Sequence, residues 1–187
     1  MSLEITVQPT PNPNGLKFIA NTSVKAEGKV SFREPAHCED IPLAQELFNL
    51  RGVDQIHFFD QVITITKFSF EPWDSLEPKV IDTVKSFLPT HDINFKSQQE
   101  KKVNRDHLSP ELQQIEEILD RRIRPGLQGD GGDLSCEEFN DNTLIIRYQG
   151  ACGTCPSSTM GTLEAIRGIL QDEYDPDIEV YIAPEIS

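Results

Sequence analysis

At 187 residues the chain is sized for one large domain or two small ones, which excludes a single fibrous element. Apolar residues make up 37% and charged residues 26%, polar for a globule but well above the composition that leaves a chain unfolded. Lys plus Arg total 17 against 31 Asp plus Glu, so the formal net charge of -14 repels phosphate backbones and anionic lipid, and neither nucleic acid nor a membrane is an expected partner.

No apolar run approaches the roughly 20 residues that cross a bilayer. The opening Met1-Ser2-Leu3-Glu4 has neither a basic leader nor an Arg-rich transit pattern, so the expected placement is cytoplasmic, with a processed form in the mitochondrial matrix as the alternative.

In chain order, Leu3, Ile5 and Val7 alternate with polar residues, and a Pro/Asn cluster, Pro9 to Asn14, leads to Leu16–Ala20. That pattern predicts two short strands joined by a loop. Pro42 opens a segment in which Leu43, Leu47 and Leu50 recur at helical spacing, and Gly52 stops it. Val53–Phe59 and Val62–Phe68 flank Asp60-Gln61 as a hairpin, and Trp73–Leu88 carries Trp73, Leu76, Val80, Ile81, Val84 and Leu88 on one helical face. The expectation for this first part, residues 1–95, is a mixed sheet with helices on one face.

Residues 96–107 are almost wholly polar and read as a linker. Splitting the chain at residue 100 leaves net charges of -5 and -9, so composition rather than charge marks the boundary.

The second part, residues 108–187, opens with Ser109 as an N-cap and Pro110 at the first helical position, followed by an apolar stripe of Leu112, Ile115, Ile118, Leu119 and Ile123 up to Pro125-Gly126. A turn, Gly129-Asp130-Gly131-Gly132-Asp133, precedes strands Leu134–Phe139 and Thr143–Gln149 around Asn140-Asp141-Asn142. After Gly150-Ala151-Cys152-Gly153-Thr154-Cys155-Pro156, the residues Met160, Leu163, Ile166 and Leu170 mark a second helix, and Ile178–Ile182 a last strand. The predicted class is α+β in two small domains, the second in the order helix, strand, strand, helix, strand.

Cys152 and Cys155 form a C-x-x-C, which in a reducing compartment signals metal binding or redox chemistry. Pro156 at a helix start sets both thiols before a helix N-terminus, where free N–H groups favour thiolate, and Ser157, Ser158 and Thr159 add donors. Two thiolates do not complete a site, because structural zinc and cubane clusters want about four ligands. Cys136 and Cys38 lack a second C-x-x-C arm, whereas two copies of the loop across a twofold axis would present four thiolates. A centre shared in this way bridges a homodimer and is expected to be labile.

The segments Gly129–Leu134 and Gly150–Ser158 with the helix to Leu170 resemble the NifU C-terminal domain of the Nfu family of iron–sulfur cluster scaffold and carrier proteins. Gln8–Phe18, Phe48–Val53, Val62–Lys67 and Trp73 resemble that family's N-terminal domain. The resemblance implies a [4Fe-4S] cluster bridged between two protomers by Cys152 and Cys155 of each and delivered to apo-proteins after loading by upstream donors. It implies a carrier rather than an enzyme, and assigns no role to Cys38 or Cys136.

Two other readings compete. A thioredoxin-like dithiol oxidoreductase also has a strand leading into C-x-x-C and a helix, but Pro156 delays the helix past Cys155 and a wider alternating βαβ frame is missing. A zinc-stabilised interaction module is the other. Asp130 and Asp133 read as turn chemistry, His37, His57, His91 and His107 lack ligand spacing, Trp73 reads as core, and Met160 with Leu163 as the helix's packing face.

Overall fold

The computed structural model describes residues 2–97, 109–151 and 156–184, the side chains of 156–158 excepted. The chain divides into two compact units, Met1–Val103 and Asn104–Ser187.

The first unit contains β1 (Ile5–Pro9), β2 (Gly15–Ala20), β3 (Lys29–Phe32), α1 (Pro42–Asn49), β4 (Val53–Phe59), β5 (Val62–Lys67) and α2 (Trp73–Phe87). Its five strands lie in the order β1-β2-β5-β4-β3. The expected α+β class holds, but this sheet is antiparallel at every pair rather than mixed. The connections explain two of the four pairs: β1–β2 and β4–β5 are joined by short loops, which close only antiparallel pairs.

In the first of these loops Asn12 is buried, its carbonyl accepts the Gly15 N–H at 2.9 Å and its side chain accepts the Asn14 N–H at 2.9 Å, so the Pro/Asn cluster is a built turn. Gly52 has φ +101 and lies where an added Cβ would come within 2.4 Å of Glu71 Cγ, so any side chain there would meet both backbone strain and a collision. Alternation then does the packing. Phe18, Ile56, Phe58, Ile63 and Ile65 point to one side and share a buried core with Leu43 and Leu47 of α1 and Leu76, Val80 and Val84 of α2.

The second unit contains α3 (Pro110–Arg122), α4 (Arg124–Gly129), β6 (Gly132–Asn140), β7 (Thr143–Gly150), α5 (Pro156–Glu173) and β8 (Glu179–Ile182). Ser109 caps α3 as expected, its hydroxyl accepting the Leu112 N–H at 3.2 Å. The short helix α4 replaces part of the expected loop. Pro125 falls at its start, where a missing N–H costs nothing.

The sheet order is β6-β7-β8, antiparallel for β6 with β7 and parallel for β7 with β8. Asp141 and Asn142 both take positive φ in the two-residue turn between β6 and β7, the conformation that matches strand twist in a tight hairpin. Ile115, Leu119, Leu134, Leu144, Ile146, Ile166, Leu170 and Val180 form the core. Met160 departs from expectation: it is 62% exposed, whereas Leu163, Ile166 and Leu170 further along α5 are buried in the core. Among the described residues no helix is long and apolar enough to cross a membrane.

Candidate metal centre

β7, α5 and β8 make one βαβ unit, since the two strands are parallel neighbours and the helix connects them. The sequence between the strand's carboxyl end and Pro156 is the C-x-x-C. Cys152 and Cys155 themselves lie outside the described residues, as do Gly153 and Thr154. What the structure describes is both shores of that loop.

On the strand side, Gly150 pairs with Gly132 and takes φ +64, and Gly131 opposite takes φ +81. The Ala151 N–H then donates to the Gly131 carbonyl at 3.2 Å, and Ala151 is buried. The ladder therefore stays closed up to the residue before Cys152. On the helix side, α5 begins at Pro156, the position expected from the proline's fixed φ and absent N–H. The Tyr148 hydroxyl donates to the Thr159 carbonyl at 3.3 Å, joining the end of β7 to the first turn of α5.

Beneath the strand shore is a charged cluster that sequence reading missed. Arg124, 4% exposed, pairs with Glu116 at 2.6 Å, with Asp120 one helical turn back, and with Asp133 at 3.4 Å. Burial disfavours its charge, but the Glu116 and Asp120 carboxylates outweigh that, and its pKa is raised above the ordinary value. Asp133 is 0% exposed, accepts the Leu134 N–H at 2.7 Å and accepts from Gln128 Nε2 at 2.8 Å. Asp130, by contrast, is an exposed turn residue. No spacing rule joins Arg124 to Asp133; only a buried Arg could have signalled it, and burial is not visible in a sequence.

Cys38 belongs to the first unit, is 1% exposed, and bonds the Pro35 carbonyl at 3.3 Å; burial, with help from the Glu39 charge, pushes its thiol up to about 11. Cys136 pairs with Ile146 on β6, four residues or about 13 Å of strand from Gly150, and packs against the second core. His57 is buried with its Nδ1 2.6 Å from Ser31 Oγ, His91 Nε2 lies 2.9 Å from the Val24 carbonyl, and His107 lies outside the described residues. Trp73 is half-buried against the first core, its Nε1 donating to the Pro13 carbonyl at 3.1 Å. Among the described residues no group of three or more His, Cys, Asp or Glu could hold a metal ion.

Two family models match the chain: the scaffold protein Nfu/NifU N-terminal model over residues 5–91, and the NifU-like domain model over residues 115–181. The human protein named NFU1 iron-sulfur cluster scaffold homolog, mitochondrial, is 36% identical over 180 residues, covering 94% of this chain and 69% of the relative. Its namesake in Drosophila persimilis is 32% identical over 187 residues, covering 95% of this chain and 64% of the relative. A NifU-like protein from Saccharomyces cerevisiae, solved by NMR, is similar at 25% identity and a TM-score of 0.42, covering 48% of this chain and 81% of that one. With one family model on each unit and a relative of this identity along nearly its whole length, the chain belongs to the Nfu family of iron–sulfur cluster scaffold proteins.

Proposed function

We propose that the chain carries a [4Fe-4S] cluster as cargo, held by Cys152 and Cys155 of each of two protomers, and hands it to apo-proteins that need one. The observation that carries the reading is the placement of the C-x-x-C: a strand laddered up to Ala151 leads into it, and a helix starting at Pro156 leaves it. Donors at a helix start suit a thiolate-bound anionic cluster. A half-complete ligand set in each chain calls for a twin, and a cluster that a dimer can release suits delivery rather than storage. On this reading the chain is a carrier and not an enzyme. The mitochondrial naming of the relatives supports the matrix as its compartment over the cytoplasm.

Anaerobic reconstitution with ferrous iron and sulfide tests it. The expected product is a brown dimer with one cluster per two protomers, and Cys152→Ser or Cys155→Ser abolishes uptake while the apo-protein keeps its circular dichroism. Cys38→Ser and Cys136→Ser retain the cluster. A colourless zinc-loaded monomer, or iron and sulfide fully bound by a protein that never pairs, overturns the proposal.

One observation favours a second reading. The βαβ unit around the C-x-x-C is a frame that a thioredoxin-like dithiol would also use, although it stands alone beside an antiparallel neighbour. Disulfide reductase activity in protein that takes up no cluster would select that reading.

A further inference from the structure

β8 ends the second unit's sheet, so one side of its backbone has no neighbouring strand. The Glu179 N–H donates to the Asn142 carbonyl at 2.8 Å and the Ala183 N–H to the Ile146 carbonyl at 2.7 Å, so the odd-numbered residues from Glu179 to Ala183 address β7. By strand alternation the main-chain groups of Ile178, Val180, Ile182 and Pro184 point outward. Such a row is a template for another strand unless something occupies it.

Most of this row is occupied. The Ile178 N–H donates to the Asp175 carbonyl at 3.1 Å, and the Ile178 carbonyl accepts from Gln171 Nε2 at 3.2 Å. The Val180 carbonyl accepts from Arg167 Nη2 at 3.3 Å, and Pro184 has no N–H to offer. Arg167 and Gln171 stand about one turn apart on α5, beside the buried stripe of Leu163, Ile166 and Leu170, and reach past the core to the strand's outer side. Arg167 is steadied by Glu164 at 3.2 Å, while its Nε, without a hydrogen bond, lies 3.8 Å from a Glu179 carboxylate oxygen. The side chains on this edge do little to repel a strand: Tyr181 is 53% and Ile182 36% exposed, and Glu179 is the one charged residue of β8.

We infer that the β8 edge is a self-association surface that Arg167 and Gln171 hold shut. Freed of them, two copies pair β8 with β8 antiparallel across a twofold axis at Tyr181. Val180 of each then lies opposite Ile182 of the other, and Glu179 opposite Ala183, so no like charges meet. That register uses the N–H and carbonyl of Val180 and Ile182 in each copy, and of these the Val180 carbonyl is the one Arg167 already holds. Closure of the edge is independent of what the cysteines bind: it keeps cluster-free copies apart.

Sedimentation velocity on the full chain, kept reduced and metal-free, decides it. Arg167→Ala combined with Gln171→Ala changes two half-buried helix positions to a strong helix former. This double variant is expected to self-associate about tenfold or more tightly than wild type, because the Val180 carbonyl no longer has to give up a bond before a strand can pair with it. Adding Ile182→Pro, which removes an outward donor and leaves the β7 ladder intact, is expected to return the wild-type value. Circular dichroism checks each fold; where the double variant or the proline variant fails to fold, Arg167→Ala alone and Ile182→Lys take their places in the same comparison. Wild-type self-association in the unguarded variant overturns the inference. So does association that the change at Ile182 fails to reverse, since its route is then not the β8 edge.

Discussion

The two units bury themselves in different ways. Nine of the ten phenylalanines belong to the first, where Phe32, Phe58 and Phe95 meet with ring centroids 5.9 to 6.5 Å apart. The second is packed almost entirely with Ile, Leu and Val. Their buried cations differ too. Lys25 donates to the Phe95 carbonyl at 2.8 Å and lies 4.6 Å over its ring, whereas Arg124 sits among carboxylates. A ring face accepts a cation from a range of angles, but a carboxylate set accepts a guanidinium from few. The unit that bears the C-x-x-C is thus the one whose buried Arg124 is met by carboxylates, where Lys25 of the other is met by a carbonyl and a ring.

Breaking this contrast hardest should be Phe58→Ala. It removes a fully buried ring that touches Phe32, Phe95 and His91, and should cost the first unit about 3 to 5 kcal/mol. Urea titration followed by Trp73 fluorescence should show an early transition, while cluster uptake by the second unit persists; loss of both together would show that the two cores are not separate. Gly168→Ala works on the other side of the comparison, since a Cβ there meets nothing within 4 Å and the residue lies inside α5. A gain of about 0.5 to 1 kcal/mol in the second unit is expected from reduced backbone entropy, read as a raised melting temperature.

The smallest expected effect is a pH slope. Burial lowers the His91 pKa below its ordinary 6.5, against a weaker opposing pull from the Val24 carbonyl, so the folded first unit prefers the neutral ring. That contribution is present above pH 6.5 and is lost as pH falls through the lower folded value. The Trp73-monitored transition should weaken on acidification, and His91→Gln should flatten the slope; an unchanged slope in the variant would assign it elsewhere.

How much of this was legible beforehand depended on periodicity. The hairpins at Asp60-Gln61 and Asp141-Asn142, the capped start of α3 and the stripe of α5 from Leu163 onward all have local signals, and the structure carries each of them. β3 escaped notice because four residues between charged and Gly-rich stretches make no pattern, yet Val30 and Phe32 are core. α4 escaped because Pro125, Gly126 and Gly129 read as breakers, although Pro125 is harmless in a first turn. For the site, the cysteine motif was plain from its neighbours, but Arg124 and Asp133 are nine residues apart and meet only when α4 folds against β6. Turn chemistry was a fair reading of Asp130 and too modest for Asp133.

Trp73 is the chain's sole tryptophan, and the bond from its indole to Pro13 anchors it in the unit without the C-x-x-C. An iron–sulfur chromophore absorbs where indole emits, so loading would dim that one lamp by energy transfer, to a degree governed by separation. Each delivery event would then announce itself as a brightening, with no label added, and the extent of the change would serve as a ruler between the halves.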